Sequence, residues 1–329
     1  MNPAQNSIHE HIKNLRQNQD NRALVYLGCV YALLFLVWVG FANLSFGSWL
    51  GLIPAMGIVQ YYIVISGHEA VHKTLCKHTK ANEFFGVFGQ ALVGVNFHAY
   101  RLQHIDHHRC ASNKEDPDAH IYMKVMSIRP GLPRFLYLVF GTFIEILIKI
   151  RQKGSGGYGT ERNIKPDVAF LMKRDSFFVI LAQLSLMGIS YICIGGLPFS
   201  LGLPSWIEIC MGVVWSYAVV WIVPLFCVTV FLNRCRIVIE HGLALHIAQK
   251  TKDFGGPRIP TIDVVPNPIE RRIFAPFLFN YHCAHHLFMS VPHYHLPKLH
   301  SLLQEHEFSG HHRIEGGYIG ALRRAMSAH

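Results

Sequence analysis

The stretch LVYLGCVYALLFLVWVGFANLSFGSWLGLIPAMGIVQYYIVISGHEAVH, Leu24 to His72, decides the fold. From Leu24 to Gly67 it carries no Asp, Glu, Lys, Arg or His. A bilayer-spanning helix needs about 20 apolar residues, so the run is long enough for two, and ANLSFGS at Ala42–Ser48 supplies the turn between them. A second run, Ser176 to Asn233, has Glu208 as its only charged residue and the break GGLPFSLGLPS at Gly195–Ser205. Four spans are predicted, at Ala23–Phe41, Trp49–Gly67, Phe177–Ile194 and Trp206–Leu232. The expected fold is all-α and integral to the membrane, with four transmembrane helices in two hairpins and a cytoplasmic histidine-rich cap. Residues 1–22 read as a cytoplasmic N-terminal segment, 23–300 as the membrane domain and 301–329 as a cytoplasmic tail.

Composition points the same way. With 51% hydrophobic and 15% charged residues among 329, the chain is too apolar for an ordinary soluble protein of its size. All 30 Lys and Arg lie outside the two apolar runs, which by the positive-inside rule puts the flanking regions in the cytoplasm. The net charge of +10 then faces anionic headgroups and calls for no nucleic acid. No cleavable signal peptide is expected, because the first 22 residues are polar and the run after them is long enough to span. The eight cysteines form no C-x-x-C pair, and Cys76, Cys110, Cys235 and Cys283 fall on the reducing side, so no disulfide framework is expected. Two shorter apolar runs, Phe84–Phe97 and Phe135–Ile148, read as interfacial helices.

All 22 histidines also lie outside the apolar runs. His68 and His72 close the first run. Two H-x-x-H-H boxes follow far apart: HIDHH, with His104, His107 and His108, and HCAHH, with His282, His285 and His286. On a helix, positions i, i+3 and i+4 share a face, so each box can aim its imidazoles at one point. Eight imidazoles exceed the needs of one zinc, which takes three or four protein ligands. They suit two metals with nitrogen shells. Imidazole accepts iron, copper or zinc; a membrane-surface site with no cysteine cluster or nucleophile pattern points to oxygen chemistry on an apolar substrate, and so to non-haem iron.

Taken alone, His68-Glu69-Ala70-Val71-His72 is the H-E-x-x-H pattern of a zinc protease, kept here as a remote alternative. Glu69-x-x-His72 is also half of a carboxylate di-iron pattern, but no second copy exists. Glu69 is then a bystander or a partner of a ligand. A metal transporter would want ionisable groups within its spans, and only Glu208 is there.

The three boxes, in this order and on one side of four spans, resemble the membrane fatty acid desaturase superfamily. YRLQHIDHHRCASNKEDPD and NPIERRIFAPFLFNYHCAHHLFMSVPHYHLPKLH read like its bacterial acyl-desaturase branch, and the likeness covers His68 to His300. The resemblance implies two non-haem irons held by His68, His72, His104, His107, His108, His282, His285 and His286. It further implies O2 as co-substrate, a lipid or acyl substrate, and removal of two hydrogens to leave a C=C bond. A further histidine often completes the shell in this superfamily, and His241 in NRCRIVIEHG is the candidate, with water or Asn280 as other occupants. The Asn-x-x-x-His variant of that segment is not matched, since Ile237 stands four before His241. Arg236 and Glu240 are i,i+4 partners there. There is no His-Pro-Gly-Gly segment of a fused cytochrome b5 domain, so electrons are expected from a separate ferredoxin- or cytochrome b5-like donor with its reductase. The third box begins with His282 rather than Gln, unlike fused front-end desaturases. Hydroxylases and ketolases of lipids or carotenoids, and desaturases of small amino-acid-like molecules, share the scaffold, and the boxes do not separate them.

Among the remaining histidines, His78, His98, His120 and His246 read as surface or supporting residues, and His293, His295 and His300 as parts of a cap. EDPD at Glu115–Asp118 either orients ligand imidazoles through their second nitrogens or is a plain Asp-Pro turn. KGSGGYG at Lys153–Gly159 lacks the ending of a phosphate loop and reads as a linker.

Overall fold

The computed structural model describes residues 3–17, 20–111, 113, 115–151, 164–198, 200–252 and 260–328; the expected linker at Lys153–Gly159 lies outside them. Among the described residues four helices are long and apolar enough to cross a membrane: Arg22–Asn43, Phe46–Val71, Pro166–Ile194 and Ser205–Thr251. They match the four runs read from the sequence. The second opens with a short 3-10 turn, Phe46–Ser48, before its α-helical part Trp49–Val71. The third begins on Pro166, whose missing N–H costs nothing at a helix start, and ends on Gly195, where φ of +72° needs a residue without a Cβ. Large apolar side chains stay exposed on the first and third helices, Phe35, Leu36, Phe177, Ile180 and Ile192 among them. In water that would be costly; in lipid it is the favourable state.

The fourth long helix is not uniform. It widens into π-helical turns at Ala218–Ile222, Leu225–Thr229 and Val238–Leu243. It packs on the second helix so closely that a Cβ on Gly57 would stand 2.8 Å from the Pro224 carbonyl and collide with Val228. Side chains tie the pair: Gln60 Nε2 donates to the Trp221 carbonyl at 3.0 Å, and Thr229 Oγ1 to the Gly57 carbonyl at 2.7 Å. Trp221 Nε1 in turn reaches the Leu92 carbonyl at 3.0 Å, at the end of helix Thr79–Leu92.

That helix, and Leu132–Arg151 with its exposed Phe135, Leu136 and Phe140, correspond to the two shorter apolar runs. Neither is among the four helices long enough and apolar enough to cross. Among the described residues the only strands form one parallel two-strand ladder, with Asp263 opposite Arg313 and Val264 opposite Ile314. The boundary drawn at residue 300 falls inside helix Leu296–Glu305, and the segment after it is no loose tail. Ile314, Tyr318, Ala321 and Ala325 are buried in the same core as Val238 and Leu243. At the other end, Ile8, Ile12 and Leu15 line one face of helix Pro3–Gln17 and join Val291, Leu299 and Leu303.

Gly57→Val should force the second and fourth helices apart. The expected cost is about 1–3 kcal/mol, as for other overpacked contacts, read as a lower thermal midpoint in detergent. An unchanged midpoint would contradict this packing.

Candidate metal centre

Each histidine box is aimed by its local structure. His68 lies in the last turn of the second long helix, and His72 caps it. Helix Phe97–Cys110 carries the second box; Asn96 caps its start by accepting from the Ala99 N–H, and Asp175 accepts from the His98 N–H at 3.0 Å. The third box forms the short helix His282–Leu287. Its first free N–H groups, on Cys283 and Ala284, donate to Asp263 Oδ1 at 2.6 and 3.1 Å. His241 sits in the last π-helical turn of the fourth helix, a deviation frequent at functional sites.

The nine histidines singled out from the sequence gather in two groups whose ligand atoms lie within 4.8 Å of one another. One holds His68, His72, His104, His108 and His285; the other holds His107, His241, His282 and His286. The groups adjoin, since the His108 and His286 rings stack at 4.1 Å between centroids. Four segments distant in sequence therefore meet at one place.

The nitrogens inside each group are spaced as ligands of a common ion. Two nitrogens that share an ion at about 2.1 Å each stand roughly 3.0–3.4 Å apart. His104 Nε2 is 2.9 Å from His72 Nε2 and 3.0 Å from His108 Nε2, and His282 Nε2 is 2.8 Å from His241 Nε2, at or just under the short end of that range. The Nε2 atoms of His68, His285 and His286 are buried without a hydrogen-bond partner among the described residues. Orphaned acceptors at that depth are costly, and a cation resolves the cost. The donor set fits metal.

Carboxylates serve the outward nitrogens. His107 Nδ1 is 2.9 Å from Asp116, which also accepts from Tyr122 Oη at 2.6 Å. His68 Nδ1 is 3.3 Å from Glu69, which meets His293 at 3.4 Å. His282 Nδ1 is 3.5 Å from Glu240, itself paired with Arg236 at 2.5 Å and with Tyr318 at 3.1 Å. The two open questions about acids thus receive structural answers. Glu69 contacts a box histidine, and EDPD supplies an orienting carboxylate as well as a turn. Burial holds His72, His104, His108, His282, His285 and His286 well below the usual histidine range, and repulsion from neighbouring imidazoles adds to it. These rings are neutral near pH 7, the form that binds metal.

The other histidines sort themselves. His98 is buried on Asp175 at 2.7 Å, and exposed His120 meets the Pro117 carbonyl at 2.8 Å. Asn280 donates to the Val264 carbonyl at 3.2 Å, while its Oδ1 is buried without a hydrogen-bond partner among the described residues. Sequence reading missed Asp263 and His311. Asp263 Oδ2 receives His300 Nδ1 at 2.6 Å and His311 Nε2 at 2.8 Å, which ties the third box helix to the following segments. Burial alone would raise the Asp263 pKa, but these hydrogen bonds outweigh it and hold the carboxyl below the usual range. An acid in the apolar run TIDVV was the available signal.

Comparison with known families gives the same answer: the model described as fatty acid desaturase matches residues 45–315. The chain belongs to the fatty acid desaturase family. That span contains all four segments that build the two histidine groups, and the family indicates an oxidoreductase. No individual curated protein matches the chain.

Neutral buried imidazoles make metal-stripped protein acid-sensitive. Unfolded histidines take up protons near pH 6.5, whereas the folded rings resist until much lower pH. The unfolded state therefore binds more protons, and stability falls as pH drops through and below that value. The thermal midpoint of chelator-stripped protein should fall steeply from pH 7.5 to 5.5; a flat profile would show the rings are not buried neutral.

Proposed function

We propose that the protein is a di-iron acyl desaturase, acting on an acyl-lipid or acyl-carrier substrate at the cytoplasmic face of a membrane. One observation carries this reading: two adjoining all-nitrogen histidine groups open onto a single cavity of about 320 Å³ that apolar side chains also line. His68, His72, His104, His108 and His285 would hold one iron; His107, His241, His282 and His286 would hold the other. Bound there with O2 and electrons from outside, the iron pair supplies the oxidant that removes two hydrogens from adjacent carbons.

The protein's own residues do the rest. Glu69 and Asp116 fix ring orientation from behind, which keeps the Nε2 lone pairs turned inward, and Glu240 stands 3.5 Å behind His282. Burial keeps His72, His104, His108, His282, His285 and His286 unprotonated and keeps bulk water from the reacting carbons. Val64, Ile65 and Phe226 line the cavity on the side of the long helices, where a hydrocarbon chain is favoured over water. If the four long helices form two hairpins, the regions that flank them would share one side, and all 30 Lys and Arg belong to those flanking regions of the sequence. Electrons would come from a ferredoxin- or cytochrome b5-like partner and its reductase docked on that face. The motifs around the second and third boxes support placing the chain near the bacterial acyl desaturases.

Purified protein should carry two irons per chain, and His104→Ala or His107→Ala should each lower iron retention against a chelator. Zinc at one per chain, with His104→Ala fully loaded, would overturn the assignment. Lipids from a host expressing the chain should gain a double bond that the His107→Ala variant does not produce. A new hydroxyl in its place would assign the scaffold to hydroxylation.

A further inference from the structure

The cavity that touches both histidine groups changes character along its wall. Val93, Val95, Leu225, Phe226 and Val230 line it, and so do Tyr100, Gln103, Asp118, Asn233 and Arg236; along the fourth helix the apolar residues 225–230 precede the polar 233 and 236. The polar part is not separated from the histidines by a long passage. Gln103 directly precedes His104, and an Asp118 oxygen is 3.7 Å from His107 Nδ1. The Arg236 guanidinium lies 4.2 Å from the centre of the Phe279 ring, which is 4.4 Å from the His68 ring and 5.0 Å from the His282 ring.

These polar groups are only partly engaged with one another. Gln103 Nε2 donates to Asp118 at 2.8 Å, while Arg236 donates to Glu240 at 2.5 Å and to Asn233 at 3.1 Å. Arg236 is 7% exposed, and its Nε is buried with no hydrogen-bond partner among the described residues. A charged donor left unpaired at that depth is unfavourable until an acceptor arrives. Arg236 is paired with Glu240, and Asp118 with Gln103, so the wall presents donors and acceptors side by side. A neutral group that both accepts and donates fits best, since the Gln103–Asp118 pair offers acceptors close to the Arg236 donor.

We propose that the substrate is an acyl lipid with an uncharged hydrogen-bonding group, a hydroxyl or an amide, within a few carbons of the C–H bonds that react. The proposal rests on the desaturase reading and narrows it. The polar group lies among Gln103, Asp118, Asn233 and Arg236, and the remaining hydrocarbon follows the wall of Val93, Leu225 and Phe226. A plain chain would leave the polar wall desolvated and unmatched, the way a site built to hydrogen-bond a substrate rejects an analogue that lacks the group.

The full chain, expressed with its redox partners in a host supplied with palmitic acid or β-hydroxypalmitic acid, provides the test. Ozone-based mass spectrometry locates the new double bond in every lipid class. A double bond beside a hydroxyl-bearing or amide-linked carbon is expected, and which class carries it tells the two sources apart. A double bond in mid-chain of plain acyl groups, remote from the polar end, overturns this proposal and leaves the desaturase reading intact. No new double bond from iron-loaded protein overturns both. Gln103→Met should lower the preference for the hydroxylated over the plain chain by about tenfold, the weight of one lost hydrogen bond, with iron per chain unchanged. An unaltered preference in Gln103→Met overturns the assignment of the polar wall.

Discussion

The structure depends on crowding nine imidazoles into a largely buried space, where most of them are held neutral. Desolvation disfavours each charged ring, and every neighbour that took a proton would repel the next. The cluster is stable only while neutral, and its inward lone pairs then want a cation. That requirement explains the distribution of acids around it. Glu69, Asp116 and Glu240 come from three different segments, and each faces a histidine through its outward Nδ1. None needs to be a ligand itself. Carboxylates placed inward would have drawn protons onto the rings, whereas placed behind them they set orientation and leave the nitrogen faces open.

The parts of this design written in local periodicity were legible in the sequence. His104, His107 and His108 fall on one face because the helix repeat puts them there, and the four apolar runs announce the long helices by length alone. Asp116 was half legible: its proximity to the second box suggested a partner, but Asp-Pro turns share the pattern. The bracing around the third box was not legible. Asp263 meets His300 and His311 across 37 and 48 residues, and no repeat encodes such contacts. The C-terminal segment hid for the same reason. Tyr318 reaches Glu240 over 78 residues, so a stretch that looked like a tail supports the carboxylate behind His282.

His241 illustrates a subtler limit. Its position after the fourth apolar run suggested a ligand, while α-helical counting back to Ile237 found no asparagine to complete a familiar pattern. The segment is π-helical there, and a wider turn shifts which side chains share a face. Counting in fours therefore misjudges the neighbours of His241, although Arg236 and Glu240 still meet one turn apart.

The π-helical turns also connect the apolar layer to the site. Widening a helix frees backbone carbonyls from their usual partners, and in hydrocarbon an unmet carbonyl costs several kcal/mol. Trp221 lies in the first π segment, and its carbonyl receives Gln60 from the second long helix; Thr229, in the next, donates to the carbonyl of Gly57. Those bonds fix the fourth helix against the second in both rotation and translation. His68 is carried by the second helix and His241 by the fourth, so the same register that satisfies Gln60 and Thr229 deep in the apolar layer sets the separation of the two histidine groups at its edge. Gly57 allows the contact because any Cβ there would push the helices apart. The bare backbone at Gly57 thus helps decide whether imidazoles well above it can share their ions.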